Sequence, residues 1–349
     1  MTSRPLITVC IPAYNRANVL PPLLDSIISQ DFASFEILIC EDNSPERDTI
    51  RSITSDYTKN TSVNIRYHEN EKNLGYDGNL RNLIERAEGE YCLFMGNDDL
   101  MCPNTLAKVA DALTRHNNIG VVLRTYAAFD ETPDNIVQTF RYFDKEIFFP
   151  SGSNTIITMY RRSVVIPGMV IHRNAAKKWA SNKFDGTLLY QLYLVANILA
   201  DMNAVYIPEV TVLYRNGGTP DFGNSEAEQG KFTPTAQTPE SSVNFMNGML
   251  TIAQSIEKER NLPIYEGIRQ DIDNYAYPIL AIQGRLPFFS YVKYLQQLVK
   301  VGMGRNLMFY IWAAIILTLG TKRSEQSIKW IKTKLGHTPR LGKIYQGNK

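Results

Sequence analysis

Short apolar runs alternate with amphipathic segments through the first 125 residues. Five runs have the length and the β-branched or aromatic residues of buried strands: 6–12, 35–40, 63–68, 91–95 and 120–125. Between them apolar residues recur at helical spacing, as they do at Leu20, Leu23, Leu24, Ile27 and Ile28. This alternation predicts an α/β fold with a mostly parallel twisted sheet and helices on both of its faces.

The pattern becomes less regular after residue 125. A loop is predicted at 217–237, where Gly, Pro, Ser and Thr are frequent, and we expect that loop to be mobile. Beyond it the spacing of apolar residues is mostly helical. We therefore expect one α/β domain over residues 1–240, with a first half at 1–125 and a second half at 126–240. A mainly helical C-terminal region is expected at 241–349.

Positive charge is concentrated near the C-terminus. Residues 285–349 contain 12 Lys or Arg and one acidic residue, whereas the other 284 residues carry a net charge of −9. An apolar run of 13 residues at 307–319, too short to span a bilayer comfortably, is flanked by Lys and Arg. Farther on, one helical face carries Ile328, Ile331 and Leu335. This pattern predicts peripheral association with an anionic membrane surface; nucleic acid or a solvated basic face are the alternatives.

The cysteines and the first residues predict a reducing compartment. Cys10, Cys40 and Cys92 lie in predicted strands, and no pair of cysteines has CxxC spacing. The first 16 residues lack the pattern of a signal peptide. We therefore expect a cytoplasmic protein, associated with the inner face of the cell membrane.

Polar residues follow each of the first four predicted strands. In chain order the clusters are Tyr14, Asn15 and Arg16; Glu41, Asp42, Asn43 and Ser44; Asn73, Gly75 and Asp77; and Asn97, Asp98 and Asp99. In an open parallel sheet these strand ends meet at one edge, which is where ligands bind. The sequence therefore predicts one polar site built from four separate segments.

Two adjacent carboxylates, Asp98 and Asp99, make a divalent cation the favoured ligand of this edge. A hard cation takes one or two carboxylates together with ligand phosphates, and a bound cation relieves the repulsion between neighbouring carboxylates. A GxGxxG motif after the first strand and a P-loop motif are both missing from the sequence, which argues against dinucleotide and P-loop sites. The alternative for the Asp pair is a polar turn or a helix N-cap before Pro103.

Four segments in order carry a resemblance to a known family. "CIPAYNR", "EILICEDNSPERDT", "NLGYDGN" and "AEGEYCLFMGNDDL" resemble the successive motifs of family-2 glycosyltransferases, over roughly residues 5–125. The forms "NLGYDGN" and "GNDDL" are similar to those of the subgroup that includes the abequosyltransferases of bacterial O-antigen synthesis. The resemblance implies a nucleotide-diphospho-sugar transferase (GT-A-like) fold, an inverting reaction and Mn²⁺ or Mg²⁺ as cofactor.

The resemblance also implies roles for residues of the first, nucleotide-binding half. Tyr14 would stack on the base, Asp42 would hydrogen-bond it, and Asp98 would lie near the ribose and the metal. Asp99 would bind the metal that bridges the diphosphate. Further nucleotide contacts are expected from Pro12, Arg16 and Asn79. The family's D-x-D motif is here "NDD", so its first carboxylate is missing.

The second half, by the same resemblance, would bring the acceptor and a catalytic base. An inverting transfer needs a carboxylate that accepts the proton of the attacking hydroxyl group. Asp185 is the expected base, with a helix N-cap as its alternative role, and Asp201 and Glu209 are the other candidates. Arg215, in "YRNGG", resembles the family's basic residue before a loop that closes on the diphosphate. His172 is expected to be structural.

The sequence thus favours a metal-dependent glycosyltransferase. We expect it to move a sugar from a nucleotide-diphospho-sugar to a saccharide or polyprenyl-linked saccharide in bacterial surface polysaccharide synthesis. A non-catalytic sugar-nucleotide-binding protein and a nucleotidyltransferase of similar fold are the alternatives. Nucleic acid is the least favoured partner, because residues 1–284 are acidic.

Overall fold

The computed structural model describes residues 4–218 and 221–335, and within them ten strands form one sheet. The strands are β1 Ile7–Ala13, β2 Phe35–Glu41, β3 Ile65–Glu69, β4 Tyr91–Phe94, β5 Leu100–Met101, β6 Ile119–Phe129, β7 Ile136–Phe140, β8 Ile147–Phe149, β9 Val170–His172 and β10 Asn203–Arg215. The first four strands are parallel neighbours in the order β3-β2-β1-β4. The predicted sheet edge therefore exists.

The helices lie on both faces of the sheet and beyond its end. They are α1 Leu20–Ile28, α2 Arg47–Asn60, α3 Gly75–Arg86, α4 Thr105–Arg115, α5 Ser153–Tyr160, α6 Arg173–Lys178, α7 Tyr190–Asp201, α8 Pro239–Arg260, α9 Tyr265–Asn274, α10 Tyr277–Ile282, α11 Phe288–Lys300 and α12 Leu307–Leu335. Short 3₁₀ helices occupy Ala17–Val19 and Arg161–Ser163. The fold class expected from the sequence is confirmed, together with the helical C-terminal region.

The sheet is mixed rather than parallel throughout. β9 lies between β4 and β6 and runs antiparallel to both, while β10 is parallel to β6. The sequence shows no strand at β9 because three residues are too few for a period-2 pattern. Residues 130–165, which look irregular in the sequence, form β7, β8 and α5.

Two hydrophobic clusters cover the two faces of the central strands. Val9 and Leu93 point to the cluster that includes α1 and α4, whereas Cys10 and Phe94 point to the cluster with α3 and α7. Successive strand residues face opposite sides, so strands that are covered on both sides read as continuous apolar runs. This double coverage explains why β1, β2 and β4 were visible in the sequence.

The C-terminal helices pack on the second half of the chain. The cluster that contains Cys10 continues without interruption to Phe309 and Ile316 in α12. A buried ion pair between Arg162 and Asp271, 3.1 Å apart, joins the segment after α5 to α9. The predicted division of the chain at residue 240 stays a prediction. The side chains from Glu325 onward, where the sequence predicts a basic amphipathic face, lie outside the described residues.

Candidate nucleotide and metal site

The carboxyl ends of β1, β2 and β4 hold the predicted polar residues together. Backbone hydrogen bonds extend the strand pairing into the following loops: Asp42 N–H donates to Ala13 O (2.9 Å), and Met95 N–H donates to Cys10 O (3.0 Å). The half-buried Tyr14 lies beside them. Burial raises the pKa of the Tyr14 hydroxyl, as do the charges of Asp221 and Asp42, while a hydrogen bond with Asn73 lowers it in part. The predicted convergence of separate segments is therefore present.

Asp42 is a buried carboxylate held in a fixed orientation. Its Oδ1 accepts hydrogen bonds from Asn70 Nδ2 (2.7 Å) and from the Leu74 N–H (2.9 Å). Burial raises the pKa of Asp42 to about 6, although these donors act in the opposite direction. The Asn79 side chain accepts a hydrogen bond from Asn70 and donates one to Cys40 O. Because Asn70 also binds Asp42, Asn79 helps to hold Asp42 in place. These contacts give Asn79 a positioning role rather than an open ligand face.

Asp99 follows β4 at this sheet edge, and only 1% of its surface is exposed. Burial and the charge of Asp98 raise the pKa of Asp99 to about 7, while the hydrogen bond from the Arg215 N–H lowers it in part. A Cβ at Gly96 would lie 2.5 Å from Asp99 Oδ2, so this close approach requires glycine. The N-cap of α4 is Asn104, so Asp99 does not have the N-cap role that was its alternative.

Arg16 joins Asp98 to the loop that follows β10. Its guanidinium forms an ion pair with Asp98 and a second one with Asp221 (3.3 Å). Asn15 and Arg16 both have left-handed backbone conformations, with φ of 53° and 61°. Asn97 Nδ2 donates to Asn15 O (3.0 Å) and so stabilises this turn. The residue at the position of the family's missing carboxylate thus has a structural role.

Arg215 is the last residue of β10 and contacts both Asp98 and Asp99. Its N–H donates to Asp99 Oδ1 and its Nε donates to Asp98 O, both at 3.1 Å. The guanidinium carbon lies 4.8 Å from the centre of the Phe129 ring. Arg215 therefore brings a positive charge to the edge where a diphosphate is expected.

The loop after β10 packs over the N-terminus of α3, a feature that sequence reasoning missed. Glu228, buried in this loop, accepts hydrogen bonds from the Tyr76 N–H (2.8 Å) and the Gly223 N–H (2.9 Å). Gly75 has φ of 74°, and a Cβ there would collide with Ser225. The only sequence signals were a Gly-rich segment and the glycine of "NLGYDGN", neither of which identifies a partner.

Asp185, the predicted base, is bound by Arg81 of α3 and not by the residues that follow β1, β2 and β4. Both of its carboxylate oxygens accept hydrogen bonds from Arg81, at 2.6 and 2.7 Å, and its side chain is 23% exposed. The N-cap of α7 is Leu189, so Asp185 does not have the N-cap role either. Asp77, which the sequence grouped with the ligand cluster, instead accepts three backbone N–H groups from residues 187, 188 and 190.

The other candidates in the second half lie away from the edge. Asp201 precedes β10 and pairs with Arg260 (2.6 Å), at the opposite end of the strand from Arg215. Glu209 is exposed within β10. His172 caps α6, since its Nδ1 accepts the Ala175 N–H (3.2 Å), as expected for a structural histidine.

The Asp98–Asp99 pair fits a divalent cation that is shared with a phosphate ligand. No group of three or more His, Cys, Asp or Glu side chains in the described residues is arranged to enclose a metal by itself. A cation held by one or two carboxylates takes its other ligands from water and phosphate oxygens. Asp98 and Asp99 repel each other, and Asp99 is fully buried. A bound cation would relieve this repulsion.

The raised pKa of Asp99 predicts a cost in stability. Because its pKa in the folded protein lies near 7, above the ordinary value, the favourable contribution of its protonated form is complete below pH 4 and is lost as the pH rises through 7. Asp99→Asn keeps an acceptor for the Arg215 N–H and cannot ionise. We expect the variant to melt a few degrees above the wild type at pH 8 in EDTA.

This stability difference is measured by thermal unfolding with circular dichroism at pH 5 and pH 8. The other buried carboxylates are the same in both proteins, so their titration cancels in the comparison. We expect the difference to shrink at pH 5. An equal difference at both pH values would contradict the ionisation of Asp99 as its cause.

Comparison with known proteins identifies related sequences and folds. Residues 8–178 match the family model "Glycosyl transferase family 2". Over 102 residues the chain is 35% identical to abequosyltransferase RfbV of Salmonella typhimurium, a match that covers 29% of this chain and 31% of that protein. The matches span less than half the length of the curated relatives.

Solved structures resemble the whole described architecture. Staphylococcus aureus TarS in complex with UDP superposes with a TM-score of 0.58 at 15% identity, covering 92% of this chain and 91% of that chain. The mannosyltransferase PcManGT of Pyrobaculum calidifontis, in complex with GDP-Man and Mn²⁺, gives a TM-score of 0.53 at 14% identity, covering 95% and 89%. These likenesses show that the chain has the GT-A fold.

Proposed function

We propose that the protein is an inverting, metal-dependent glycosyltransferase, because residues 8–178 match the model of glycosyl transferase family 2. It moves a sugar from a nucleotide-diphospho-sugar to a saccharide, carried on a polyprenyl lipid, in bacterial surface polysaccharide synthesis. The observation that carries this proposal is the meeting of Tyr14, Asp42, the Asp98–Asp99 pair and Arg215 at one sheet edge.

The nucleotide binds, in this proposal, where β1 and β2 end. Asp42 is fixed by two donors and presents its remaining acceptor capacity to the base. Tyr14, half-buried with its hydroxyl near Asp42, supplies an aromatic face for stacking. Pro12 is the next-to-last residue of β1 and lies opposite Cys40 of β2. The sugar nucleotide thus meets a rigid set of groups that are ordered by the sheet.

The diphosphate lies over Asp98, Asp99 and Arg215. These two carboxylates would hold the cation, which when bound offsets the negative charge of the departing diphosphate. Arg215 is fixed by its two hydrogen bonds and adds a second positive charge at the same place. Arg16, which pairs with Asp98 and Asp221, exchanges its carboxylate partners for phosphate oxygens when the donor binds.

The attack on the anomeric carbon uses Asp185 as the general base. Its bidentate pair with Arg81 orients the carboxylate and leaves the side chain partly exposed. The loop that carries it is tightly constrained, because Leu188 has φ of 63° and Asp77 binds three of the loop N–H groups. Such strain commonly occurs at functional sites.

The same ion pair favours a second candidate, a sugar-nucleotide-binding protein without transferase activity. Both oxygens of Asp185 already accept hydrogen bonds from Arg81, which leaves fewer of their lone pairs for an acceptor hydroxyl. The two functions share the donor site and differ in turnover. Tight nucleotide binding without sugar transfer to any saccharide would identify the second one.

Nucleotide binding tests the donor site directly. We expect one of UDP, GDP, CDP and dTDP to bind in calorimetry when Mn²⁺ is present, and to bind weakly in EDTA. Asp42→Ala should weaken this binding about ten- to a hundredfold, because a hydrogen bond to a charged group is lost. Asp56→Ala, a change at an exposed carboxylate of α2, is the matched control. Failure of all four nucleotides to bind with Mn²⁺ would remove the basis of the proposal.

A further inference from the structure

Helices α10 and α12 pack against each other at the end of the described chain, and the segments on either side of α11 contact α12. Gly284, just before α11, lies against Ile316 and Thr321 of α12. At the other end Gly304 lies between Val299 of α11 and Tyr310 of α12. The segment that leads into α11 is therefore beside the later part of the apolar run, and the segment that follows α11 is beside its beginning.

The apolar run of α12 is buried on one face only. Phe309, Ala313 and Ile316 are at most 5% exposed and belong to the core. The opposite face is equally apolar but exposed, at Leu307, Tyr310, Ile311, Leu317 and Leu319. A helix that is apolar on all sides is normally buried on all sides. The outer face of this helix is apolar but is left largely exposed by the described part of the protein.

Two aromatic residues extend this exposed face at the start of α11. Phe288 is 61% exposed and Phe289 is 85% exposed. Single exposed apolar side chains are common, but adjacent large ones beside an exposed apolar helix are characteristic of a binding surface. We define the docking surface as Phe288, Phe289, Leu307, Tyr310, Ile311 and Leu317.

The charge around the docking surface has one sign. Residues 277–324 contain six Lys or Arg and no Asp or Glu. Lys293 and Lys300 are exposed on α11, while Arg305 and Arg323 are exposed near the two ends of the apolar run. An anionic partner that also accepts apolar side chains fits both properties, and the interface of an anionic lipid bilayer is such a partner.

We infer that the docking surface binds the protein to an anionic membrane, with the outer face of α12 lying in the plane of the interface. The inner face of α12 stays packed on the protein core, so the helix lies along the bilayer while Phe288 and Phe289 insert at its edge. No helix in the described parts of the chain is long and apolar enough to span a membrane. This inference goes beyond the proposed transfer reaction, because lipid binding requires no donor.

Vesicle binding without any sugar nucleotide tests the inference separately from catalysis. The full chain is sedimented with vesicles of phosphatidylglycerol and phosphatidylethanolamine, and with vesicles of phosphatidylcholine alone. We expect binding to the anionic vesicles and a loss of about tenfold or more in Phe288→Ser/Phe289→Ser, since two exposed aromatic side chains no longer insert. Both positions are exposed, so the variant should fold.

The matched control is Ile136→Ser/Val137→Ser, which removes two apolar side chains of β7 that are 44% and 49% exposed. Its vesicle binding should equal that of the wild type. Lys293→Gln and Lys300→Gln should each weaken binding to anionic vesicles about fivefold, whereas Lys59→Gln on α2 should not. Equal binding of the wild type and the Phe variant would overturn the inference. A dimer that dissociates in the Phe variant, without vesicle binding, would assign the surface to a second copy of the chain.

Discussion

Asp99→Asn is expected to lower the rate of sugar transfer by about a hundred- to a thousandfold, with the fold intact. The Asp99 carboxylate is buried and accepts the Arg215 N–H, at the place where we propose that the diphosphate departs. The amide keeps the acceptor for the Arg215 N–H but cannot carry the negative charge that a cation needs. The loss should therefore appear in turnover and in the Mn²⁺ dependence together.

The measurement is a steady-state assay with the donor identified by calorimetry, as a function of Mn²⁺ concentration. The wild type should reach saturation with Mn²⁺, whereas the variant should require far more metal or show no response. Asp56→Asn, on the exposed face of α2, serves as the control for the chemical change alone. A variant with normal turnover and a normal Mn²⁺ response would return Asp99 to a purely structural role.

Asp99→Asn also links activity to stability. The crowding of carboxylates that favours a cation is the same crowding that raises the pKa of Asp99 to about 7 and destabilises the metal-free protein at high pH. We therefore expect one substitution to raise the melting temperature at pH 8 and to abolish most of the transfer. Opposite effects of this kind are common where a site is built for a ligand rather than for stability.

The strand ends of the first half could be predicted from the sequence because each strand is visible as a short run of neighbouring residues. β1, β2 and β4 are covered on both faces, which makes them continuous apolar runs, and parallel pairing then places the residues after them at one edge. Asp42 and Asp99 follow directly from that reasoning. Asn79 does not, because its contact with Asn70 depends on the loop after β3, whose path has no period in the sequence.

The contacts that cross the chain could not be predicted. The pair of Arg16 with Asp221 and the pair of Arg81 with Asp185 each join residues more than 100 positions apart. A side-chain ion pair leaves no pattern of spacing in a single sequence, and glutamate or aspartate in a loop is most often a solvated residue. β9 was hidden for a related reason, since its place between β4 and β6 is decided by packing rather than by its three residues.

The segment "NLGYDGN" shows how reasoning from the ends of strands can misplace one residue. Its position after β3 suggested that Asp77 belongs to the ligand edge, yet Asp77 turns away and binds the backbone of residues 187, 188 and 190. Burial raises the pKa of Asp77 to about 6 in spite of these donors. Asp77 thereby fixes the loop that contains Asp185 and couples the first half of the chain to the second half.

Asp185→Asn should lower kcat by about a hundred- to ten-thousandfold if this carboxylate takes the proton of the acceptor hydroxyl. Arg81→Met should cost much less, because it removes the partner that orients Asp185 and leaves the base in place. Both variants break the same partly exposed ion pair, worth at most about 1 kcal/mol, and Arg81→Met also loses the hydrogen bond to Ser181 O, so Arg81→Met should lose at least as much stability as Asp185→Asn. Donor affinity, measured by calorimetry, should be unchanged in each.

The comparison of these two variants separates a base from a structural ion pair, since stability reports only the second role and kcat reports the first. Asp185→Glu keeps a carboxylate and should recover part of the kcat that Asp185→Asn loses, which a role in folding alone would not explain. Equal losses of kcat in Arg81→Met and Asp185→Asn would mean that Asp185 acts only through Arg81. Asp221, which Arg16 connects to Asp98, would then be the next carboxylate to replace, and Asp221→Asn should show the loss instead.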